Sequence, residues 1–119
     1  MFVCDIMTKN VYTIPVDKKL NIAKEIMQWA QIRHIPVVDE KENLVGLISS
    51  HDLFKASISI MSNGSFVKES LQAKHLWQIS VEKIMVKEIA TVTPDTLVQK
   101  AANVMRKNKI GCLPVVGLK

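Results

Sequence analysis

The chain has 119 residues, sixteen Lys and Arg against eleven Asp and Glu, a net charge of +5 and 48% hydrophobic residues. That is the composition of a globular domain, and four Gly with four Pro exclude a collagen-like, disordered or linker-dominated chain. Residues 1–95 carry eleven charges of each sign, so the whole excess follows Asp95; a basic surface shaped for nucleic acid would not be distributed in that way. Cys4 and Cys112 lie far apart, with no CxxC and no His at metal spacing, which argues against a disulfide scaffold or a zinc module. The start MFVCDIMTKN lacks the apolar run of a signal peptide, and no apolar run approaches the roughly 20 residues that span a bilayer. The expected compartment is cytoplasmic.

A repeat organises the chain. Shifting the sequence by 78 aligns Ile6–Val38 with Ile84–Val116 without a gap, with 11 of 33 positions identical. Taken in order, Val11–Ile14 is a β-branched run stopped by Pro15, and Asp17 is the expected cap of a helix carrying Leu20, Ala23, Met27 and Ala30. A strand over Ile35–Val38 follows, then a polar turn over Asp39–Asn43. A further strand, Leu44–Ile48, leads into a helix starting near Ser49. Ser62–Ser65 reads as a loop, and Phe66–Trp77 as a short connecting helix. The second copy repeats the pattern: a strand at Ile89–Val92, a cap at Asp95–Thr96 with Gln99, a helix with Val98, Ala101 and Met105, and a strand at Leu113–Val116. The partner of Asp52 would fall about eleven residues beyond Lys119, so the second copy is expected to be truncated. The domains are therefore 1–61, a connection at 62–80, and 81–119.

The segments Asp5-Ile6-Met7-Thr8, Ile35-Pro36-Val37-Val38-Asp39 and Val45-Gly46-Leu47-Ile48-Ser49-Ser50-His51-Asp52, in this order and partly repeated, resemble the tandem CBS domain, or Bateman module. Within that family, Ile32–Glu40 and Ile110–Val116 look like the small stand-alone acetoin-utilisation CBS proteins. The resemblance implies an α/β fold of two β-α-β-β-α units related by a pseudo-twofold axis. It also implies a regulatory role without catalysis, with an adenosine-containing effector (AMP, ADP, ATP or S-adenosylmethionine) in the cleft between the motifs. Such a module is expected to form a homodimer and to regulate a protein that the sequence does not identify.

Carried over by motif position, the resemblance implies a site of Leu47, Ser49, Asp52, Met85, Ala90, Lys109, Ile110 and Gly111. A second half-site would use Met7, Tyr12, Ile32, Arg33 and His34. The chemistry is suitable: a carboxylate accepts from two vicinal ribose hydroxyls, and free N–H groups at a helix start suit a phosphate. Gly111 would let backbone approach a base. Ser49-x-x-Asp52 is equally a capping box, and the spacing leaves both roles open. Arg33 and His34 offer phosphate neutralisation, or alternatively a helix C-cap and a half-buried spacer. Lys100, Arg106 and Lys107 fit a solvated helix face, while Trp29 and Trp77 fit core or linker packing, or for one of them an interface anchor. No metal site is expected, since the three His lie far apart. The alternative reading is a dimerisation module that binds no small molecule; nucleic-acid binding through the basic end is weaker. No nucleophile–base pair suggests an enzyme.

Overall fold

The computed structural model describes residues 1–61 and 77–117, in an α/β arrangement. The connecting loop and most of the expected connecting helix lie outside the described residues. The ordered elements are β1 (Ile14–Pro15), α1 (Leu20–Ala30), β2 (His34–Val38), β3 (Leu44–Ser49), α2 (Ser50–Met61) and α3 (Val98–Asn108), with single 3-10 turns at Val3–Asp5 and Val81–Lys83. Two compact units result. The larger is Tyr12–Lys87, and the smaller combines Met1–Val11 with Glu88–Lys119. The sequence repeat and the compact units therefore do not coincide: the leading segment of each copy belongs to the unit that holds the body of the other.

In the larger unit, β1, β2 and β3 form one sheet in that order, with β1 parallel to β2 and β2 antiparallel to β3. Alternation along β2 and β3 sends Ile35, Val37 and Ile48 into the core, where Ile14, Leu20, Ala23, Met27, Leu53 and Val81 meet them. The expected strand at Val11–Ile14 shrinks to Ile14–Pro15, because only these two residues find partners, Val37 and Val38. Pro15 is tolerated there because β1 is an edge strand and owes its neighbour one donor fewer.

In the smaller unit, Val3, Val92 and Ala101 form the core, with Met7, Leu113 and Val115 packed against them. The expected strands Ile89–Val92 and Leu113–Val116 reduce to one parallel bridge, Val92 to Val115. It is held by Val92 N–H to the Pro114 carbonyl at 3.1 Å and Val116 N–H to the Val92 carbonyl at 2.9 Å.

Both expected side-chain caps are corrected. The residue before α1 is Lys19, not Asp17, and no side chain caps it. The Leu20 N–H donates to the Ile79 carbonyl at 2.9 Å and the Asn21 N–H to the Trp77 carbonyl at 3.2 Å. The first-turn donors are thus met by backbone from a distant segment, which removes the need for a local acceptor. Helix α3 repeats the device: Leu97 precedes it, and the Val98 N–H donates to the Met1 carbonyl at 3.0 Å. Thr96 accepts instead from the Thr93 N–H at 3.2 Å, and Asp95 accepts from the Thr93 hydroxyl, so neither acts as the expected cap.

Both helices stop at a residue in the left-handed region, Gln31 at φ 56° and Lys109 at φ 55°. The turn this residue makes ends the helix before the -Pro-Val-Val- segment begins. No described helix is long and apolar enough to cross a membrane.

Candidate functional site

The junction of β3 and α2 gathers the chemistry-bearing residues of the larger unit. At the end of β3 the Ser49 N–H donates to Asp52 Oδ2 at 2.9 Å, and the Asp52 N–H donates to Ser49 Oγ at 3.1 Å. This reciprocal box is the capping reading of Ser49-x-x-Asp52 made real. It does not use up the side chains. Among the described residues Asp52 Oδ1 and the Ser49 hydroxyl proton have no partner, and both residues are half-buried. The expected free N–H groups at the start of α2 are corrected in part. The Ser50 N–H donates to the Arg33 carbonyl at 2.8 Å, and the Asp52 N–H is held by Ser49.

Strand pairing fixes what surrounds the box. His34 is the cross-strand partner of Ser49, and Pro36 that of Leu47. On the outer edge of β3, Leu47 and Val86 exchange two backbone hydrogen bonds, at 3.0 and 2.9 Å. That pairing seats Met85 against Gly46, whose missing Cβ makes room for it: a Cβ there would stand 2.9 Å from Met85 Cγ and 3.1 Å from Cε, with Sδ closer still. Gly46 is therefore required by a close approach.

Of the expected nucleotide-contacting residues, Leu47, Ser49, Asp52 and Met85 belong to the larger unit. Ala90, Lys109, Ile110 and Gly111 belong to the smaller. There Ala90 is half-buried and Ile110 continues the helix end through its N–H to the Met105 carbonyl at 3.0 Å. Lys109 and Gly111 are exposed, and a Cβ at Gly111 would meet nothing within 4 Å. Of the second half-site, Tyr12, Ile32, Arg33 and His34 lie in the larger unit and Met7 in the smaller. Tyr12 packs edge-on against Trp29 with ring centroids 5.9 Å apart, and Ile32 packs on the main core. The strand register makes His34, of the second set, the cross-strand partner of Ser49, of the first.

Val86 was not singled out from sequence; its only sign was its position next to the Ile84-Met85 landmark. Trp29 departs from the expected packing role, with 77% of its surface exposed. Trp77 is half-buried on the main core, with Lys24 Nζ 4.7 Å from its ring centroid. Cys4 and Cys112 are free thiols, and burial raises the Cys112 thiol above its ordinary range. Among the described residues no group of three His, Cys, Asp or Glu could hold a metal ion.

A tandem α/β repeat with a Gly-apolar-apolar-Ser-x-x-Asp strand-to-helix junction defines the class. The CBS-domain family model matches residues 3–59 and 81–118, and the chain belongs to that family. A putative acetoin utilization protein from Vibrio cholerae is similar in structure, with TM-score 0.77 and 31% identity, covering 98% of this chain and 76% of that one. The CBS domain pair of protein MJ0100, in complex with 5′-methylthioadenosine and S-adenosyl-L-methionine, has TM-score 0.77 and 30% identity, covering 98% of this chain and 80% of that one. Among curated relatives, the homoserine O-acetyltransferase of Methanohalobium evestigatum is 32% identical over 115 residues, 97% of this chain. The chain spans 20% of that relative's length, so the match concerns a CBS-like portion and carries no acetyl-transfer chemistry to this chain.

Proposed function

We propose that the chain is a regulatory module that senses an adenosine-containing ligand through the Ser49–Asp52 junction. The observation that carries this reading is the half-buried box itself. It fixes a carboxylate and a hydroxyl in one geometry and leaves Asp52 Oδ1 and the Ser49 proton for a ligand. A ribose diol matches one acceptor and one donor of this kind, and the bound adenosyl compounds of the MJ0100 pair support the class. Ala90, Lys109, Ile110 and Gly111 of the smaller unit are proposed as further ligand contacts on family resemblance alone. Ligand binding would act by favouring one member of a pre-existing set of conformations.

The test is a thermal-shift screen with AMP, ADP, ATP and S-adenosylmethionine. A ligand at 100 times its Kd adds about 2.7 kcal/mol and raises Tm visibly. Loss of that shift in Asp52→Ala supports the site, whereas an unchanged shift removes it.

A second reading, an association module forming a homodimer, is favoured by the exposed aromatic residues on the helices. Trp29 on α1 is 77% exposed and Phe54 on α2 61% exposed, and Ile58 adds a further apolar face. A groove of about 250 Å³ lies between α1 and α2, floored by Met27 and Leu53 and edged by Lys24, Phe54 and Trp77. Sedimentation velocity across a concentration series separates the readings: assembly indifferent to every adenosyl compound favours the second.

A further inference from the structure

We propose that the groove between α1 and α2 binds a small carboxylic acid with an aromatic body. The inference goes beyond the adenosyl reading and does not depend on it.

The groove is apolar at its floor and rich in donors at its edge. Met27 and Leu53, each 7% exposed, form the floor, and Phe54 and Trp77 offer aromatic surface beside them. Its volume of about 250 Å³ lies below the roughly 300–1,000 Å³ of pockets that take drug-sized ligands. A single ring with a short acidic arm fits that space, and a nucleotide does not. An aromatic body is favoured over an aliphatic one, because edge-to-face or offset contacts with Phe54 and Trp77 add to the gain from buried area.

The polar lining sets the charge. Lys24 and Gln28 of α1 and Ser50 of α2 present an ammonium, an amide and a hydroxyl, all of which can donate. Ser57, the remaining polar residue, already donates its hydroxyl proton to the Leu53 carbonyl at 3.0 Å. Among the described residues no Asp or Glu lines the groove, so an anion complements its edge. Lys24 is half-buried, and its Nζ stands 4.7 Å from the Trp77 ring centroid, where the ring quadrupole attracts it. Trp77 is tied to the same helix, since its carbonyl accepts from the Asn21 N–H at 3.2 Å. The cation is therefore held at the edge of the apolar floor. A carboxylate there gains charge-assisted hydrogen bonds while its ring takes water off Met27 and Leu53. A second copy of the chain is the competing occupant. Lys is depleted in protein–protein interfaces, so a half-buried ammonium favours the small anion.

Amide- and indole-resolved NMR of the whole chain, titrated with phenylacetate and with phenylacetamide, tests this. Phenylacetate should shift the Trp77 indole saturably, with a Kd of about a millimolar. The indole of Trp29, which packs on Tyr12 and does not line the groove, should stay unmoved. The neutral amide should bind at least about fivefold more weakly. Lys24→Met keeps the apolar stem and removes the charge, so it should bring acid and amide within about twofold of each other. Trp29→Phe, at an exposed position, assigns the two indole signals. Equal affinity for acid and amide in the unaltered chain, or a Trp77 indole unmoved at about ten times the expected Kd, would overturn the proposal. Phenylacetate affinity that falls as protein concentration rises would overturn it too, and would give the groove to a second copy. The comparison of acid with amide needs no variant, so it decides the matter even where Lys24→Met fails to fold.

Discussion

Helix α1 of the larger unit and helix α3 of the smaller are built alike, yet the cores beneath them are not. Each spans 11 residues, starts on a backbone carbonyl from a distant segment, and stops at a left-handed residue 78 positions from its counterpart. Under α1 lies a three-stranded sheet, with Ile14, Leu20, Ile35, Val37 and Ile48 fully buried. The smaller unit has, among the described residues, only two isolated bridges, Phe2 to Leu97 and Val92 to Val115, and Val3, Val92 and Ala101 each keep 6–9% of their surface. Helix ends set by backbone tolerate sequence divergence between the copies, because any residue supplies a carbonyl. A closed core does not, because it needs apolar side chains on both layers.

The largest expected contrast lies in those cores. Ile48→Ala should cost about 2–5 kcal/mol, whereas Val92→Ala, smaller and less enclosed, should cost about 1–2 kcal/mol at roughly 0.8 per methylene. Urea denaturation of both variants measures the gap, and equal losses would break the comparison. Next come the glycines. Gly46→Ala forces Met85 off the β3 edge and should cost about 1–3 kcal/mol, as overpacking does. Gly111→Ala has open space and should stay within about 0.5 kcal/mol.

Smaller still is the effect of the left-handed helix ends. A non-glycine residue there costs about 1–2 kcal/mol, and glycine's own entropy costs about 0.5–1. Gln31→Gly and Lys109→Gly should each therefore stabilise by about 0.5–1 kcal/mol, and by similar amounts in the two units. A gain in one unit alone would show that the ends are not equivalent.

Acid provides a one-sided probe. Asp39 caps the β2–β3 turn by accepting from the Asn43 N–H and the Lys41 N–H, both at 2.9 Å. The Asn43 bond is the main reason its carboxyl titrates below the ordinary range; the slight desolvation it suffers acts the other way. A folded-state pKa below the unfolded value stabilises the fold above the carboxylate range, and that contribution is lost as pH falls through it. Asp39→Asn should flatten this small acid-side decline, seen in Tm measured from pH 6 to pH 3, without altering stability at pH 7 by more than a surface change does.

Periodicity and the repeat made α1, α3 and the -Pro-Val-Val- segments legible, because apolar spacing at three and four reports a helix face directly. The Ser49–Asp52 junction was legible as a pattern with two readings, and the structure realises the cap through Asp52 Oδ2 and Ser49 Oγ. The caps were not legible. Asp17 and Asp95–Thr96 are good local acceptors, and nothing near them signals that the carbonyls of Ile79 and Met1 arrive first. His34 beside Ser49 was equally hidden, because register across a turn is a property of two strands together. Met85 on Gly46 is a contact between residues far apart in sequence, and Gly46 looked like one more strand glycine until its neighbour was placed.

The most direct test of the central claim is an amide-resolved NMR titration of the chain with AMP. The account predicts saturable shifts at Ser49, Ser50 and Asp52, together with His34 across the strand pair, and their loss in Asp52→Ala. Binding that leaves those four amides unmoved, or shifts that survive in Asp52→Ala, would contradict it.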